Sequence, residues 1–212
     1  MKPIGGAVVL GGLMLVALAL AKKAKGSLAS RYGGISEFIA ASHFQAANRT
    51  AIDLIVIHTT EAPKTDHTAH DVATNWTALP TTQVSAHYIV DSANVVQTVA
   101  EKDIAFHARG GNVNAVSIGI EHAGSAGQSS AMWGDSFNTA MLARSAALVA
   151  SLCERYSIPE VWLSAADVRA GKRGITGHAE VTQAFAVPNG HGDPGAAFPR
   201  ARYIALVKES AP

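Results

Sequence analysis

Apolar and polar residues alternate with several different periods along this chain, and each change of period predicts an element. Residues 52–57, Ile52-Asp53-Leu54-Ile55-Val56-Ile57, form a β-rich apolar run too short for a helix. Such a run predicts a central strand, here one that delivers His58 at its end. Residues 71–79 predict a helix stopped by Pro80. Residues 86–90 and 94–99 flank Asp91-Ser92-Ala93 and predict a hairpin. Residues 116–121 predict another strand, whose alternation sends Ser117, Gly119 and Glu121 to one face. Between residues 136 and 156, Met141, Leu142, Leu148, Val149, Leu152, Cys153 and Tyr156 recur at helical spacing, which predicts a packing helix. Ile175 and Thr176 predict a short strand before His178, and residues 200–209 a terminal helix with Tyr203, Ile204 and Val207 inward. Strands interleaved with helices, one hairpin included, predict an α/β fold: a central mixed β-sheet flanked by helices.

The N-terminal region departs from this pattern. Residues 4–21 are an uncharged run of 18 residues, rich in Gly, Ala, Leu and Val, flanked by Lys2 and by Lys22, Lys23 and Lys25. As a helix the run would span about 27 Å, close to the hydrocarbon thickness of a bilayer. An apolar surface on all sides with flanking lysines predicts an N-terminal transmembrane helix rather than a core helix. A cleaved signal peptide is the nearer rival, because Ser27-Leu28-Ala29 has the small residues of a cleavage site. The three lysines ahead of that site argue against it. The expected organisation is a membrane anchor over residues 1–25, a Gly/Ser/Ala-containing linker over 26–34 and a domain over 35–212. The lysine excess on the C-terminal flank would hold that domain in the cytoplasm by the positive-inside tendency.

Composition narrows the partners. With 212 residues, 48% of them hydrophobic and 16% charged, the chain can bury one core of ordinary size. A formal net charge of +1 provides no field for a polyanion, and the aromatic residues are not interleaved with a basic stripe, so nucleic acid is not an expected partner. The single cysteine, Cys153, excludes a disulfide within the chain and reads as a small buried hydrophobe.

The chemistry is concentrated near the C-terminus. Gly177-His178-Ala179-Glu180-Val181 and His191-Gly192-Asp193-Pro194-Gly195 place two imidazoles and a carboxylate within a loop's length of one another. Histidine and aspartate are ordinary zinc ligands, and the Gly and Pro around Asp193 force a turn that can hold its carboxylate in one orientation. His58, His178 and Asp193 each lie at a strand end or in a turn, where backbone geometry can aim side chains at one point. No His-Glu-x-x-His helix supplies them, so they would converge only through the fold.

Five motifs in order carry a family resemblance: Ile57-His58-Thr59-Thr60-Glu61, Val84-Ser85-Ala86-His87-Tyr88, Asn114 with Ser117-Ile118-Gly119-Ile120-Glu121, Gly177-His178 with Glu180-Val181, and His191-Gly192-Asp193-Pro194-Gly195. From about residue 52 to 198 the chain resembles the type-2 N-acetylmuramoyl-L-alanine amidases. That group takes in phage lysozyme-type amidases, bacterial recycling amidases and animal peptidoglycan recognition proteins. The resemblance implies a single zinc-amidase domain with one catalytic Zn2+ held by His58, His178 and Asp193, and a fourth position left open. Zinc in such a site lowers the pKa of a water toward about 7 and polarises the scissile carbonyl. The resemblance further implies Glu121 as the residue that takes the water's proton, and His107 and Asn114 as residues lining the substrate groove.

Two departures from the family pattern bear on mechanism. His191 stands where many members have a lysine, and when protonated it could donate to the developing oxyanion or the leaving amine. Ala86 stands where several members have a catalytic tyrosine, which shifts weight to Glu121. Tyr88, two residues on, is equally a packing residue, and His87 either braces a ligand or is a satisfied core histidine. The expected substrate is peptidoglycan or a muropeptide, with the membrane a second partner through the N-terminal helix. This function calls for a membrane-anchored enzyme whose domain faces the periplasm or cell wall, or lies in a virion membrane if phage-encoded. A non-catalytic muropeptide-binding protein is the alternative, and a metal hydrolase of another amide is a third reading.

Overall fold

The structure, a computed structural model, describes residues 34–211. Two short strands, β1 (Glu37–Phe38) and β2 (Phe44–Gln45), lead into β3 (Leu54–Thr59). Helix α1 (Thr68–Val72) continues as a π-helical turn over Ala73–Thr77 and precedes β4 (Tyr88–Val90), β5 (Val95–Gln97) and β6 (Ile104–Ala105). Next come α2 (Val113–Val116), β7 (Ser117–His122), α3 (Ser130–Trp133) and the long α4 (Ser136–Tyr156). The chain ends with α5 (Ala165–Arg169), β8 (Gly174–Gly177), α6 (His178–Phe185) and α7 (Arg200–Ser210).

Six strands form one mixed sheet in the order β1-β5-β4-β7-β3-β8. Strand β3 runs parallel to β7 and to β8, β7 runs parallel to β4, and only β4 and β5 pair antiparallel. Every residue of β3 and β7 is buried, as the near-continuous apolar run of a strand covered on both faces requires. On one face Ile55, Ile57, Ile118 and Ile120 share a core with Met141, Leu142 and Leu152 of α4 and Tyr203 and Val207 of α7. On the other, Leu54 and Val56 pack with Val113 of α2, Val168 of α5 and Val181 and Ala184 of α6. Alternation along β3 therefore puts His58 on the second face, beyond the end of that apolar cluster.

Elements whose ends are capped locally match their sequence-predicted bounds. Helix α4 starts where the Asp135 carboxylate accepts the Asn138 N–H at 2.7 Å, and it ends where Ser157 turns left-handed at φ 54°. Elements capped from a distance differ. The helix expected over 71–79 begins at Thr68 instead, because the Ala69 N–H donates to Asp91 Oδ2 at 2.9 Å. The same carboxylate accepts the N–H groups of Ala93 and Asn94 at 2.8 and 2.7 Å and tightens the hairpin turn. Both strands are shorter than expected mainly at the far end, where the Thr98 and Val99 N–H groups both reach the His87 carbonyl, at 2.8 and 3.5 Å.

One expectation is corrected. Among the described residues no helix is long and apolar enough to cross a membrane. The longest, α4, has 21 residues but carries Arg144, Glu154 and Arg155, and it buries one face against the sheet rather than an apolar surface all round. Residues 4–21, on which the transmembrane helix was expected, lie outside the described residues. The fold is an α/β domain without a transmembrane element among those residues, and the membrane-anchored location expected from that helix is withdrawn.

The fold makes a direct prediction. Leu152 is fully buried between α4 and the sheet, so Leu152→Ala should destabilise the protein by about 2–5 kcal/mol. Urea unfolding at constant m-value measures this; a loss below about 1 kcal/mol would mean that α4 does not cover a close-packed core.

Candidate metal centre and active-site cleft

Parallel pairing brings the C-terminal ends of three strands to one edge of the sheet. His58 on β3 is in register with Glu121 on β7, Ile57 is in register with Gly177 on β8, and His178 follows as the first residue of α6. The Asp193 loop is tied to that helix start, because the Ala179 N–H donates to the Asp193 carbonyl at 2.8 Å. The Glu180 carboxylate accepts the Gly177 N–H at 3.2 Å and holds the strand-to-helix corner. Gly195 has φ +94°, and a Cβ there would lie 2.0 Å from the Ala126 carbonyl oxygen. Only glycine lets the Asp193 loop pack this closely on the segment after β7.

As a result, His58, His178 and Asp193 are all buried, with their ligand atoms within 4.8 Å of one another. Asp193 Oδ2 lies 3.0 Å from His58 Nδ1, and Oδ1 lies 3.2 Å from His178 Nδ1. The second contact is not aligned as a hydrogen bond, which leaves Oδ1 without a donor in a buried position. Burial opposes ionisation of Asp193, but its contacts with the His178 and His58 imidazoles outweigh it and hold the carboxyl far below its ordinary range. Burial in turn keeps His58 below the usual histidine range despite the Asp193 contact.

These residues fit a first-row divalent cation. Zinc bonds of about 2.0–2.2 Å in a tetrahedron separate neighbouring ligand atoms by about 3.3–3.6 Å; here the two Asp193 oxygens lie 3.0 and 3.2 Å from one imidazole nitrogen each, and the ligand atoms all lie within 4.8 Å of one another. Two imidazole nitrogens and one carboxylate oxygen form a neutral-to-anionic donor set of the kind zinc accepts.

Around this cluster lies a cleft of about 520 Å3 whose lining includes all seven residues singled out in the sequence: His58, His107, Asn114, Glu121, His178, His191 and Asp193. Glu121 is buried, and its Oε2 has no hydrogen-bond partner. Burial, with added repulsion from Asp193 and Glu61, pushes its carboxyl up to about 8. His191 stands at the rim with its side chain 65% exposed, its Nδ1 4.0 Å from Asp193 Oδ1. Its ring stacks on that of His178, with centroids 5.1 Å apart and planes 4° from parallel.

His107 and Asn114 are engaged with the protein itself. Both ring nitrogens of His107 have partners, His58 Nε2 at 3.0 Å and Ser117 Oγ at 3.0 Å. Burial, reinforced by the neighbouring imidazoles, keeps this ring well below the ordinary histidine range. Asn114 Oδ1 accepts the N–H groups of His107 and Ala108 at 3.2 and 2.9 Å. Tyr88 points away into the core and donates to Glu101, so it does not replace the missing tyrosine at position 86. His87 touches no ligand; it is buried and its Nδ1 accepts the Gly119 N–H at 3.0 Å. His122, given no role from sequence, lies on the opposite face with Nε2 2.7 Å from Ser145 Oγ.

Sequence reasoning passed over several residues that shape the cleft. Arg49 donates to the carbonyls of Asn114, Ser117 and Glu101 at 3.1, 2.8 and 2.8 Å, fixing the segment that leads into β7. A lone arginine ahead of a strand carries no signal of this in sequence. Glu61, left-handed at φ 55°, accepts from the Thr59 and Ser125 hydroxyls and the Ala126 N–H, each at 2.8 Å. Its place directly after His58-Thr59-Thr60 was the available clue. Trp76 and Arg109 also line the cleft.

Comparison with known proteins agrees with this geometry. The family model described as N-acetylmuramoyl-L-alanine amidase matches residues 48–196. N-acetylmuramoyl-L-alanine amidase A of Achromobacter lyticus is 31% identical over 173 residues, covering 76% of this chain and 85% of that protein. The hydrolase AmiA of Staphylococcus aureus, solved in complex with its ligand, shares the fold with a TM-score of 0.58 at 16% identity, over 82% of each chain. A selenomethionine derivative of AmpD shares it with a TM-score of 0.57 at 22% identity, over 83% of this chain and 97% of that one. With most of its length matched by the family model and by a relative of this identity, the chain belongs to the N-acetylmuramoyl-L-alanine amidase family.

Proposed function

We propose that this chain is a zinc-dependent peptidoglycan amidase that hydrolyses the amide between N-acetylmuramic acid and the L-alanine of the stem peptide. The observation that carries the reading is the convergence of buried His58, His178 and Asp193 in one cleft, with the unpartnered Glu121 carboxylate lining the same cleft. Bound there, zinc supplies a site that acidifies water and polarises the scissile carbonyl.

The remaining work falls to the chain. His58, His178 and Asp193 bind the metal, and Asp193 brings the negative charge that offsets the cation's. Glu121 accepts a proton from the attacking water at Oε2 and returns it to the leaving amine. Its raised pKa belongs to the metal-free protein; a divalent cation nearby favours the carboxylate that a base needs to be. His191 is exposed at the rim, where a protonated imidazole can donate to the developing oxyanion or the amine. Asn114, with His107, shapes the wall of the groove along which the substrate lies.

Digestion of purified sacculi, with and without a chelator, tests the reading by mass spectrometry. New L-alanine amino termini that vanish with the chelator are expected; reducing sugar ends, or muropeptide that binds without being cut, would sink it. Asp193→Ala should lose both zinc and activity, whereas Glu121→Gln should keep zinc and lose about 10²–10⁴-fold in rate.

Glu121 also yields a stability prediction for the metal-free protein. A carboxyl whose folded pKa is raised, here to about 8, contributes stability that is present below its unfolded pKa of about 4.3 and is lost as pH rises through the folded value. In chelator, Glu121→Gln should therefore stabilise the protein at pH 8 relative to the wild type, on the order of a few kcal/mol, and have little effect at pH 4.5. Thermal melts at the two pH values check this. Equal melting temperatures at pH 8 would mean that Glu121 ionises there without penalty.

A further inference from the structure

The hydrogen bonds behind the metal cluster run in one direction. The Ser117 hydroxyl has a single proton, which it donates to the Val113 carbonyl at 2.6 Å. At its 3.0 Å contact with His107 Nε2, Ser117 Oγ must therefore accept, so the His107 proton is on Nε2. His107 is buried and its ring nitrogens meet only an imidazole and a hydroxyl, with no carboxylate to offset a charge, so the ring is neutral and its Nδ1 is a lone pair. At the 3.0 Å contact between that Nδ1 and His58 Nε2, His58 must then be the donor. A neutral His58 with its proton on Nε2 has a lone pair at Nδ1, and Nδ1 is the atom that faces Asp193 Oδ2 at 3.0 Å. Two lone pairs facing each other at this distance repel, and a metal ion held between them turns that repulsion into two bonds.

We infer that His107, anchored on Ser117, is a positioning residue that fixes the tautomer and ring orientation of His58 so that Nδ1 is presented to the metal. The inference rests on the zinc reading proposed above and adds two residues to it. The site is built for this arrangement. His107 stands directly over Gly119, where a Cβ would lie 2.5 Å from its Cγ, so the strand is bare at the position the ring occupies. The Gly119 N–H is held from beneath by His87 Nδ1, and Asn114 holds the backbone at His107. His107 thus forms the groove wall while both of its nitrogens serve the protein.

Two measurements on the full chain test the inference. The first is the zinc dissociation constant, by competition with a chromogenic chelator, for the wild type and for His107→Leu, His107→Gln and Ser117→Ala. Removing the acceptor with leucine should weaken zinc binding about 10–100-fold. Glutamine can accept from His58 through its oxygen and donate to Ser117 through its amide, and should restore most of the affinity. Ser117→Ala, which removes a hydroxyl alone, should weaken binding by a smaller factor and covers the case in which the leucine variant does not fold. The second is long-range 15N–1H correlation of the imidazoles in zinc-loaded wild type, where His58 and His107 should both carry their proton on Nε2.

A leucine variant that binds zinc as tightly as the wild type, a glutamine variant as weak as leucine, or a proton on Nδ1 of either ring would overturn the inference. Failure of the wild type to take up zinc would instead overturn the proposed function and this inference with it. Tight zinc binding that all variants share would leave the function standing and remove only the role of His107.

Discussion

Parallel pairing of β3 with β7 on one side and β8 on the other is the constraint on which the site depends. Parallel strands end together, so one register brings His58, Glu121 and the His178 corner to the same edge of the sheet. A slip of one residue would turn His58 into the α4 core and Ile57 out toward the cleft, exchanging a buried apolar contact for a buried imidazole without partners. The isoleucines on one face and Leu54 and Val56 on the other resist that slip, because both faces of β3 are packed. Packing energy and chemical placement are therefore one property of this strand.

The cluster at that edge is an unfavourable place for charge, and this is what makes it useful. Despite burial, the contacts of two imidazoles hold Asp193 far below the carboxylate range, whereas burial, with repulsion from Asp193 and Glu61, pushes Glu121 up. Two carboxyl groups in one cleft are thus pushed in opposite directions, one toward holding a cation and the other toward exchanging a proton. Behind them the Ser117, His107 and His58 contacts settle which nitrogen of His58 is free. The opposite face holds a separate polar set, with His122 bonded to Ser145 and Ser145 2.6 Å from Tyr203, which joins α4 and α7 beneath the same strand ends.

Legibility of the fold followed the range of the forces involved. Strand β3 and helix α4 were readable because an unbroken apolar run and a 3.6-residue period are local signals, and α4 is also capped by its own neighbour Asp135. The start of α1 was not readable, because its capping carboxylate, Asp91, comes from a distant turn. Helix α6 was missed because His178-Ala179-Glu180-Val181 reads as ligand chemistry, and its first turn is organised by the Asp193 carbonyl and the Glu180 carboxylate. The transmembrane expectation rested on residues 4–21, and the longest described helix, polar on one side, does not supply such a span.

The sequence by itself determined the central strands, the long helix, the family and seven of the residues that line the cleft, because ordered motifs and periodicity are properties of the chain alone. It did not determine how those residues divide the work. That His107 gives both nitrogens to the protein, that Tyr88 turns into the core and that His191 lies at the rim were decided by tertiary structure. The physical reason is that a hydrogen bond's partner and direction depend on which atoms the packed strands bring within about 3 Å of each other. Strand register and the Gly119 and Gly195 close approaches set those distances, and none of them is encoded within a single motif.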